Sequence, residues 1–258
     1  MTNQSRDALH RVSRYFRSLC LGRNDHVRLP PFSLMFDPSS PNRYRNYAFP
    51  DDGAEPDAAT MAKLITAFEQ RERTPRLEYI PALAPELEER LVECGFSREG
   101  ELPLMLCTRA TLQQGVLRDG AECQLALSAE ALREAAEIQN AAYGADPATT
   151  ADVDRLRRTV DSGGLVALAR GSDGTPIGSG LVSTPSEGIA EVAAVGVLEG
   201  ERKQGIGAAI TAFLADQALA KGIDMPFLMA AHEAEARIYS RIGFMPFATM
   251  LHIARERP

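Results

Sequence analysis

An internal repeat with an offset of 148 residues constrains the fold of this chain more than any other feature. The segment from Tyr79 to Phe96 aligns without gaps on the segment from Phe227 to Phe244, and the offset carries Gly95 onto Gly243. Each copy has a short apolar stretch, a polar connection, an amphipathic helical stretch and a Gly-Phe end. This end is typical of a helix that stops at a left-handed glycine. Similarity at a fixed offset indicates a duplicated structural unit.

The same offset extends the repeat in both directions. It places the helical stretch 58–68 on 206–216, and each half closes with an apolar strand, at 102–107 and at 247–253. The alternative is two unrelated strand–helix–strand pieces, since identical positions are few. The stretch TLQQGVLRDG at 111–120 ends in a turn-forming Asp-Gly. We therefore expect an N-terminal domain over residues 1–118 and a second domain over 119–258, which suits a chain of 258 residues.

The hydrophobic pattern of the second half predicts an α+β fold. Strands are expected at 123–127, 165–169, 177–182, 190–198 and 225–230, and helices at 129–142, 151–160, 206–221 and 233–242. The Gly-Ser-Asp-Gly turn at 171–174 predicts that the strands around it form an antiparallel hairpin. The fold class is thus a mixed, mostly antiparallel sheet flanked by helices. In the first half, 32–36 predicts an early strand, and Leu9, Val12, Phe16 and Leu19 follow helical spacing.

Composition excludes several classes of protein. The formal net charge is −7, which argues against general nucleic-acid binding. No apolar run approaches the roughly 18 residues of a membrane helix. The four cysteines are far apart and no CxxC pair occurs, so neither a metal site nor a disulfide scaffold is expected. We expect a cytoplasmic protein, although an arginine-rich amphipathic N-terminus is also a property of transit peptides.

The most informative stretch is VGVLEGERKQGIGA at 195–208, where a strand, a polar turn and two glycines precede a helix. Amides at a helix start lack internal partners, and the helix dipole favours anions there. Gly205 and Gly207 carry no Cβ that would block a phosphate, and Arg202 and Lys203 add positive charge. A Walker loop is excluded because no GK[ST] follows. The Rossmann pattern fits poorly because its third glycine position is Ile210.

At this point the sequence resembles the GNAT superfamily of N-acetyltransferases. Arg202-Lys-Gln-Gly205-Ile-Gly207 is similar to its Gln/Arg-x-x-Gly-x-Gly/Ala signature, and AEARIYSRIGF at 234–244 is similar to its A-x-x-x-Y-x-x-x-G-F ending. The resemblance covers about 121–258. It implies that acetyl-CoA is the cosubstrate, that amides of 203–208 hold its pyrophosphate, and that the strand edge at 195–197 pairs with its pantetheine arm. The cofactor-binding residues it implies are Val195, Gly196, Val197, Arg202, Lys203, Gln204, Gly205, Ile206, Gly207 and Ala208.

Two catalytic residues follow from this resemblance. Tyr239 occupies the position of a tyrosine that protonates the departing thiolate, although a tyrosine there also fits a helix core. Glu191 lies eleven residues before Arg202, where some members place a carboxylate that takes the amine's proton; a solvent-facing strand residue is the alternative. Strict alternation would put Glu191 on the strand face of Val195 and Val197. His232 stands where relatives often have Asn, and we expect it to be a helix cap or a surface residue.

The first half resembles a degenerate copy of the same unit. The offset projects the glycine-rich loop onto AEPDAA at 54–59, which has no paired glycines and no basic residue. Asp51, Asp52, Glu55 and Asp57 would repel a pyrophosphate. Tyr239 projects onto Leu91, which cannot donate a proton. We expect this half to pack beside the second and to help wall the acceptor site.

The resulting hypothesis is an acetyl-CoA-dependent N-acetyltransferase. It would transfer the acetyl group to a primary amine by direct attack in a ternary complex, with no metal. Six of the seven net negative charges lie beyond residue 120, which favours a cationic acceptor. We expect a small-molecule amine rather than a protein as acceptor, and neither nucleic acid nor membrane as a partner. A non-catalytic acyl-CoA sensor or scaffold, and a protein-modifying transferase, are the alternatives.

Overall fold

The computed structural model describes residues 3–21, 25–38, 40–117 and 120–256. These residues form two compact units, one made of Met1–Leu104 with Phe247–Pro258 and the other of Met105–Pro246. A single division of the chain does not separate the two units, because most of the last strand belongs to the first unit. The expected boundary between residues 118 and 119 lies outside the described residues and stays a prediction.

The helices and strands before residue 107 follow the expected pattern, with two additional strands. They are α1 (Asn3–Leu21), β1 (His26–Leu29), β2 (Phe32–Met35), β3 (Tyr47–Pro50), α2 (Ala58–Glu69), β4 (Arg76–Tyr79), α3 (Leu87–Glu93) and β5 (Ser97–Leu106). Strands β1 and β3 were not predicted; each has four residues, too few for a clear hydrophobic period.

The later elements match the predicted ones to within a few residues. They are β6 (Glu122–Leu125), α4 (Ala129–Ala142), α5 (Thr150–Asp161), β7 (Leu165–Arg170), β8 (Pro176–Val182), β9 (Ile189–Val197), α6 (Ile206–Ala220), β10 (Met225–Met229), α7 (Glu233–Arg241) and β11 (Met245–Ala254). Local signals fix several helix starts: the Ser128 side chain caps α4, and Thr149 with Asp152 forms a capping box at α5.

Each unit contains a mixed, mostly antiparallel arrangement of strands, as predicted. In the first unit the order is β1-β2-β3-β4-β11-β5, with β3 and β4 parallel and β11 antiparallel to β4. In the second unit the order is β10-β9-β8-β7-β6, where β9 and β10 are parallel and the other neighbours are antiparallel.

The element bounds agree with the duplication. Moving 148 residues along the chain takes the first residue of α2 to the first residue of α6, and it takes both ends of β5 to both ends of β11. The glycines that end α3 and α7 have φ of 84° at Gly95 and 98° at Gly243, so both adopt the predicted left-handed conformation.

The way the helices pack on the cores explains why α6 is apolar on all sides. In the first unit, α2 and α3 pack on one face of the sheet, and α1 buries Leu9, Val12 and Phe16. In the second unit α4 and α5 cover one face and α6 the other. Helix α6 is also covered from outside by the segment 109–117, where a Cβ on Gly115 would lie 2.5 Å from the Ala209 Cα. This double burial accounts for the lack of a polar face on α6.

No helix in the described ranges combines the length and the apolar character that crossing a membrane requires.

A buried charged cluster lies on β4 and its neighbours in the first unit. The Arg76 side chain is fully buried; its Nε donates to Glu99 Oε2 at 2.6 Å, Nη1 donates to Glu78, and Nη2 contacts His252 Nδ1 at 2.9 Å. Glu78 and His252 are cross-strand partners of β4 and β11. Because Glu78 is only 5% exposed, its charge depends on Arg76 for compensation.

We expect Arg76→Met to lower the free energy of unfolding of the first unit by about 3–5 kcal/mol, because it leaves the Glu78 carboxylate buried without its cation. Urea denaturation followed by circular dichroism measures the change. The control is Arg255→Met, which removes an exposed pair with Glu69 at 3.5 Å and should cost less than about 1 kcal/mol. Equal losses in the two variants would contradict this account.

Candidate functional site

The loop between β9 and α6 presents open backbone amides at a helix start. After β9 the chain makes a short 3-10 turn at Glu199–Glu201 and reaches Gly205, the N-cap of α6, with φ of 78°. Because glycine has no side chain, this N-cap residue makes no side-chain cap hydrogen bond. The first N–H groups of α6 therefore lack the side-chain oxygen that normally satisfies them, as an anion site requires.

The equivalent helix start in the first unit is closed by its own side chain. Asp57, which lies 148 residues before Gly205, is the N-cap of α2, and its Oδ1 accepts the Thr60 N–H at 2.7 Å. Hydrogen bonds from the Thr60 side chain and then from its backbone N–H hold the pKa of the Asp57 carboxyl below its usual value. A carboxylate thus occupies in α2 the place that α6 leaves open.

The neighbouring acidic residues of the first unit are also engaged. Asp52 accepts hydrogen bonds from Ser13 Oγ at 2.6 Å and from Arg17 Nη1 at 2.9 Å, and Asp51 pairs with Arg28 at 2.6 Å. Helix α1 and β1 therefore supply the side chains that fill this corner. The segment AEPDAA was expected not to form a phosphate loop, and in the structure the acidic residues just before it bind side chains of α1 and β1 instead.

A cavity of about 330 Å³ lies beside the start of α6; we call it the Tyr239 cavity. It brings together nine of the twelve predicted site residues. Its lining consists of Val195, Val197, Glu201, Arg202, Lys203, Gly205, Ile206, Gly207, Ala208, Glu235, Ile238 and Tyr239. Gly196, Gln204 and Glu191 are not part of this lining. Another cavity, of about 380 Å³, lies on the outer side of α6 and contains none of the predicted residues.

Gly196 in β9 and Gly207 in α6 are glycine for different structural reasons. A Cβ on Gly196 would lie 2.7 Å from the Ala142 Cβ, so this glycine lets α4 approach β9 closely. A Cβ on Gly207 would only make ordinary contacts, at 3.8 Å to Val197 and 3.9 Å to Val195. Protein packing therefore does not require glycine at 207, whereas close approach of a ligand from the cavity would.

The basic residues of the loop are not equivalent. Arg202 Nε donates to the Val197 carbonyl and Nη2 donates to the Ala142 carbonyl, each at 3.1 Å. These bonds tie the loop to β9 and α4 while the side chain still borders the cavity. Lys203 has φ of 63° and also borders the cavity, and Gln204 donates to Glu201 Oε2 at 3.3 Å.

Strand β9 leaves β10 partway along its length. The registered parallel pairs run from Ile189 with Met225 to Glu191 with Phe227 and extend no further. Ala194 has φ of 51°, and the register with β8 shifts at this point, which is a β-bulge. Residues 195–197 therefore lie beyond the last β10 partner, at the edge where an extended ligand could pair.

The bulge corrects one expectation about Glu191. Strict alternation put Glu191 on the face of Val195 and Val197, but the extra residue at Ala194 reverses the faces. Before the bulge, Val192 packs toward the α6 core and Ala193 toward the core beneath α4 and α5; after it, Val195 packs toward α6. Glu191 thus lies on the opposite face from Val195 and Val197, and its role as base stays a prediction.

Tyr239 lies on α7 with its phenol in the cavity wall. The residue is 8% exposed, and its ring centroid is 6.4 Å from that of Phe244. Its hydroxyl donates to Glu235 Oε1 at 3.1 Å. Burial, and then the Glu235 charge, raises the pKa of the phenol well above its usual value. The phenol therefore keeps its proton at neutral pH and has one to donate.

His232 caps α7, as the sequence analysis expected. Its Nδ1 accepts the Glu235 backbone N–H at 3.2 Å. This arrangement uses the imidazole as a helix cap rather than as a proton carrier.

Sequence reasoning missed two side chains near Tyr239. Glu235 precedes Tyr239 by four residues on α7, so the i,i+4 spacing could have identified it. Tyr143 follows α4, and its hydroxyl donates to the Val195 carbonyl at 3.2 Å. No local pattern links Tyr143 to β9, because 52 residues separate the two partners.

In the described ranges, no three His, Cys, Asp or Glu side chains converge in a way that could hold a metal ion.

Comparison with known proteins gives one family. Residues 131–244 match the acetyltransferase (GNAT) family, a span that contains the β9–α6 loop and Tyr239. No curated protein matches the chain.

Solved structures resemble the chain over most of its length. A GCN5-related N-acetyltransferase from Kribbella flavida is 24% identical with a TM-score of 0.80, covering 97% of this chain and 96% of that one. A GCN5-related N-acetyltransferase from Sphaerobacter thermophilus has 16% identity and a TM-score of 0.65, covering 88% and 78%. A tandem GNAT protein from the clavulanic acid biosynthesis pathway has 13% identity and a TM-score of 0.60, covering 88% and 79%.

At these identities the likenesses show the fold, and the family match covers the segment with the site. Residues 131–244 therefore match the model of the GNAT acetyltransferase family, in a chain whose fold is GNAT-like and duplicated in tandem.

Proposed function

We propose that the chain is an N-acetyltransferase that transfers the acetyl group of acetyl-CoA to a primary amine by direct attack in a ternary complex. The observation that carries this proposal is that the uncapped start of α6 and the Tyr239 phenol border the same cavity. An anion site and a proton donor thus lie within reach of one ligand. Acetyl-CoA supplies both an anionic diphosphate and an activated acetyl group.

The residues of the cavity fit such a ligand. The backbone N–H groups of residues 203–208 would donate hydrogen bonds to the diphosphate, helped by Lys203 and by the dipole of α6. The edge of β9 at 195–197, which lies beyond the last β10 partner, would pair with the amides of the pantetheine arm. Main-chain donors at this edge would also polarise the thioester carbonyl, whose oxygen gains charge during attack.

Tyr239 would then protonate the sulfur as the carbon–sulfur bond breaks. Its raised pKa keeps the phenol protonated before this step. Glu191 remains the base that the resemblance implies. A variant Glu191→Gln that retains the acidic limb of the wild-type pH–rate profile would remove it from that role.

The acceptor is proposed to be a small cationic amine. Six of the seven net negative charges lie beyond residue 120, which would attract such a molecule from solution. We expect wild-type protein to release free thiol from acetyl-CoA when a panel of primary amines is offered. Binding of acetyl-CoA by calorimetry without thiol release from any amine would instead favour an acyl-CoA sensor.

Gly205→Asp places a carboxylate in α6 at the position that Asp57 occupies in α2. The new carboxylate should repel the diphosphate, weakening acetyl-CoA binding about 100-fold, or about 2.7 kcal/mol. Calorimetry measures the dissociation constant. The control is Gly174→Asp, at a β7–β8 turn glycine with φ of 82° and open space for a Cβ, which should leave the affinity unchanged. Unaltered affinity in Gly205→Asp would contradict the anion site.

Tyr239→Phe should lower kcat by about 10²–10⁴-fold, because it removes the proton donor for the thiolate. The affinity for acetyl-CoA should stay within a few-fold of wild type, since the diphosphate contacts are untouched. Steady-state kinetics and calorimetry separate the two effects. Tyr44→Phe, at an exposed tyrosine of the first unit, is the control. Unchanged turnover in Tyr239→Phe would remove Tyr239 from the mechanism.

A further inference from the structure

The carboxylate of Glu235 is fixed at the wall of the Tyr239 cavity by two hydrogen bonds. Oε2 accepts the Ala231 backbone N–H at 2.5 Å, and Oε1 accepts the Tyr239 hydroxyl at 3.1 Å. The backbone N–H of the same residue is bound by His232. This carboxylate is therefore held in place in the first turn of α7, half-buried, with its position set before any substrate arrives.

We propose that Glu235 is the general base of the acetyl transfer and that it forms a proton relay with Tyr239. This inference rests on the proposed function and names a residue that the motif comparison did not supply. Both side chains line one cavity and share one hydrogen bond. A base and an acid that are already joined can pass a proton between them without a solvent path.

Both side chains return to their starting protonation states at the end of the relay. The cationic amine first loses one proton to solvent. The nitrogen of the resulting neutral amine attacks the thioester carbonyl carbon, a carbon–nitrogen bond forms, and Glu235 takes a proton from that nitrogen. The carbon–sulfur bond breaks with its electron pair on sulfur, and the Tyr239 hydroxyl gives its proton to that sulfur. Protonated Glu235 then returns its proton to the phenolate. The net result is that the amine's proton ends on the thiol.

The hydrogen bond between Tyr239 and Glu235 explains how the phenol can first bind the carboxylate and then protonate the sulfur. While Glu235 is a carboxylate, the Tyr239 hydroxyl donates to it. Once Glu235 carries the amine's proton, it becomes the donor, and the phenolic hydrogen is released to point toward the sulfur. Capture of the amine's proton therefore makes the phenol available as an acid.

The surroundings contain other charged groups, and most of them are engaged. Arg202 donates to two carbonyls, Glu201 accepts from Gln204, and Glu233 pairs with Arg237 at 3.4 Å on the exposed side of α7. The groups that face the pair are Tyr143 after α4, Glu201, Arg202 and Lys203 from the β9–α6 loop, and His232 at the start of α7.

Glu191 fits this role less well than Glu235. It lies on the face of β9 opposite to Val195 and Val197, and it is not part of the lining of the cavity that contains Tyr239. Glu235 borders the cavity and contacts the Tyr239 hydroxyl directly. The two carboxylates can therefore be compared in one experiment.

The test is Glu235→Gln, measured beside Glu191→Gln and the control Glu233→Gln. Glutamine keeps an oxygen for the Ala231 N–H but cannot take a proton. We expect kcat to fall about 10²–10⁴-fold and the acidic limb of the kcat/KM profile to disappear in Glu235→Gln, with acetyl-CoA affinity unchanged. Glu235→Asp, which keeps a carboxylate, should recover part of the rate and retain the acidic limb. Glu233→Gln, at an exposed glutamate, should match wild type.

A second readout does not depend on turnover. In Glu235→Gln the loss of the neighbouring charge should lower the pKa of Tyr239, seen as a shift in the tyrosinate absorbance titration that is absent from Tyr239→Phe. A Glu235→Gln variant with wild-type rate and acidic limb would overturn the relay while the proposed function stands. Loss of the acidic limb in Glu191→Gln alone would give the base role to Glu191. Acetyl-CoA binding without amine acetylation by the wild type would overturn both.

Discussion

The uncapped start of α6 is the interaction on which the candidate site depends. Helix N-termini carry unsatisfied amides, and proteins usually satisfy them with a side-chain oxygen. In the first unit Asp57 does this for α2, whereas Gly205 leaves α6 open at the position 148 residues later. The duplicated units therefore differ at one decisive residue. The acidic cap satisfies a first-turn amide of α2, and the left-handed glycine leaves the first amides of α6 without such a side chain.

In the second unit, residues of β9 and α7 line the cavity beside the uncapped start of α6. The bulge at Ala194 parts the end of β9 from β10 and brings Val195 and Val197 to the cavity. Helix α7 contributes Tyr239 and Glu235 on one side, four residues apart and hydrogen-bonded. An uncapped helix start, a strand edge and a hydrogen-bonded tyrosine–glutamate pair thus meet in a cavity of about 330 Å³, a size within the range of small-ligand sites.

Much of the fold could be predicted because its signals are local. The periods of α4 and α6, the hairpin of β7 and β8, and the terminal glycines at 95 and 243 are all encoded within a few residues of where they act. The bulge at Ala194 was not predictable, since it depends on the register between β8 and β9 and has no glycine to mark it. Its effect on Glu191 shows how one extra residue reverses the faces of a strand.

The sequence by itself determined the duplication, the order of the elements in the second half, the glycine-rich start of α6 and the position of Tyr239, because spacing along the chain carries this information. Only the tertiary structure decided that the last strand belongs to the first unit and that Glu191 lies on the opposite strand face from Val195. It also decided that Glu235 accepts a hydrogen bond from the Tyr239 hydroxyl. Those outcomes depend on strand register and on side-chain contacts between folded elements. Such contacts form between groups whose relation is set by packing rather than by the local pattern of residues.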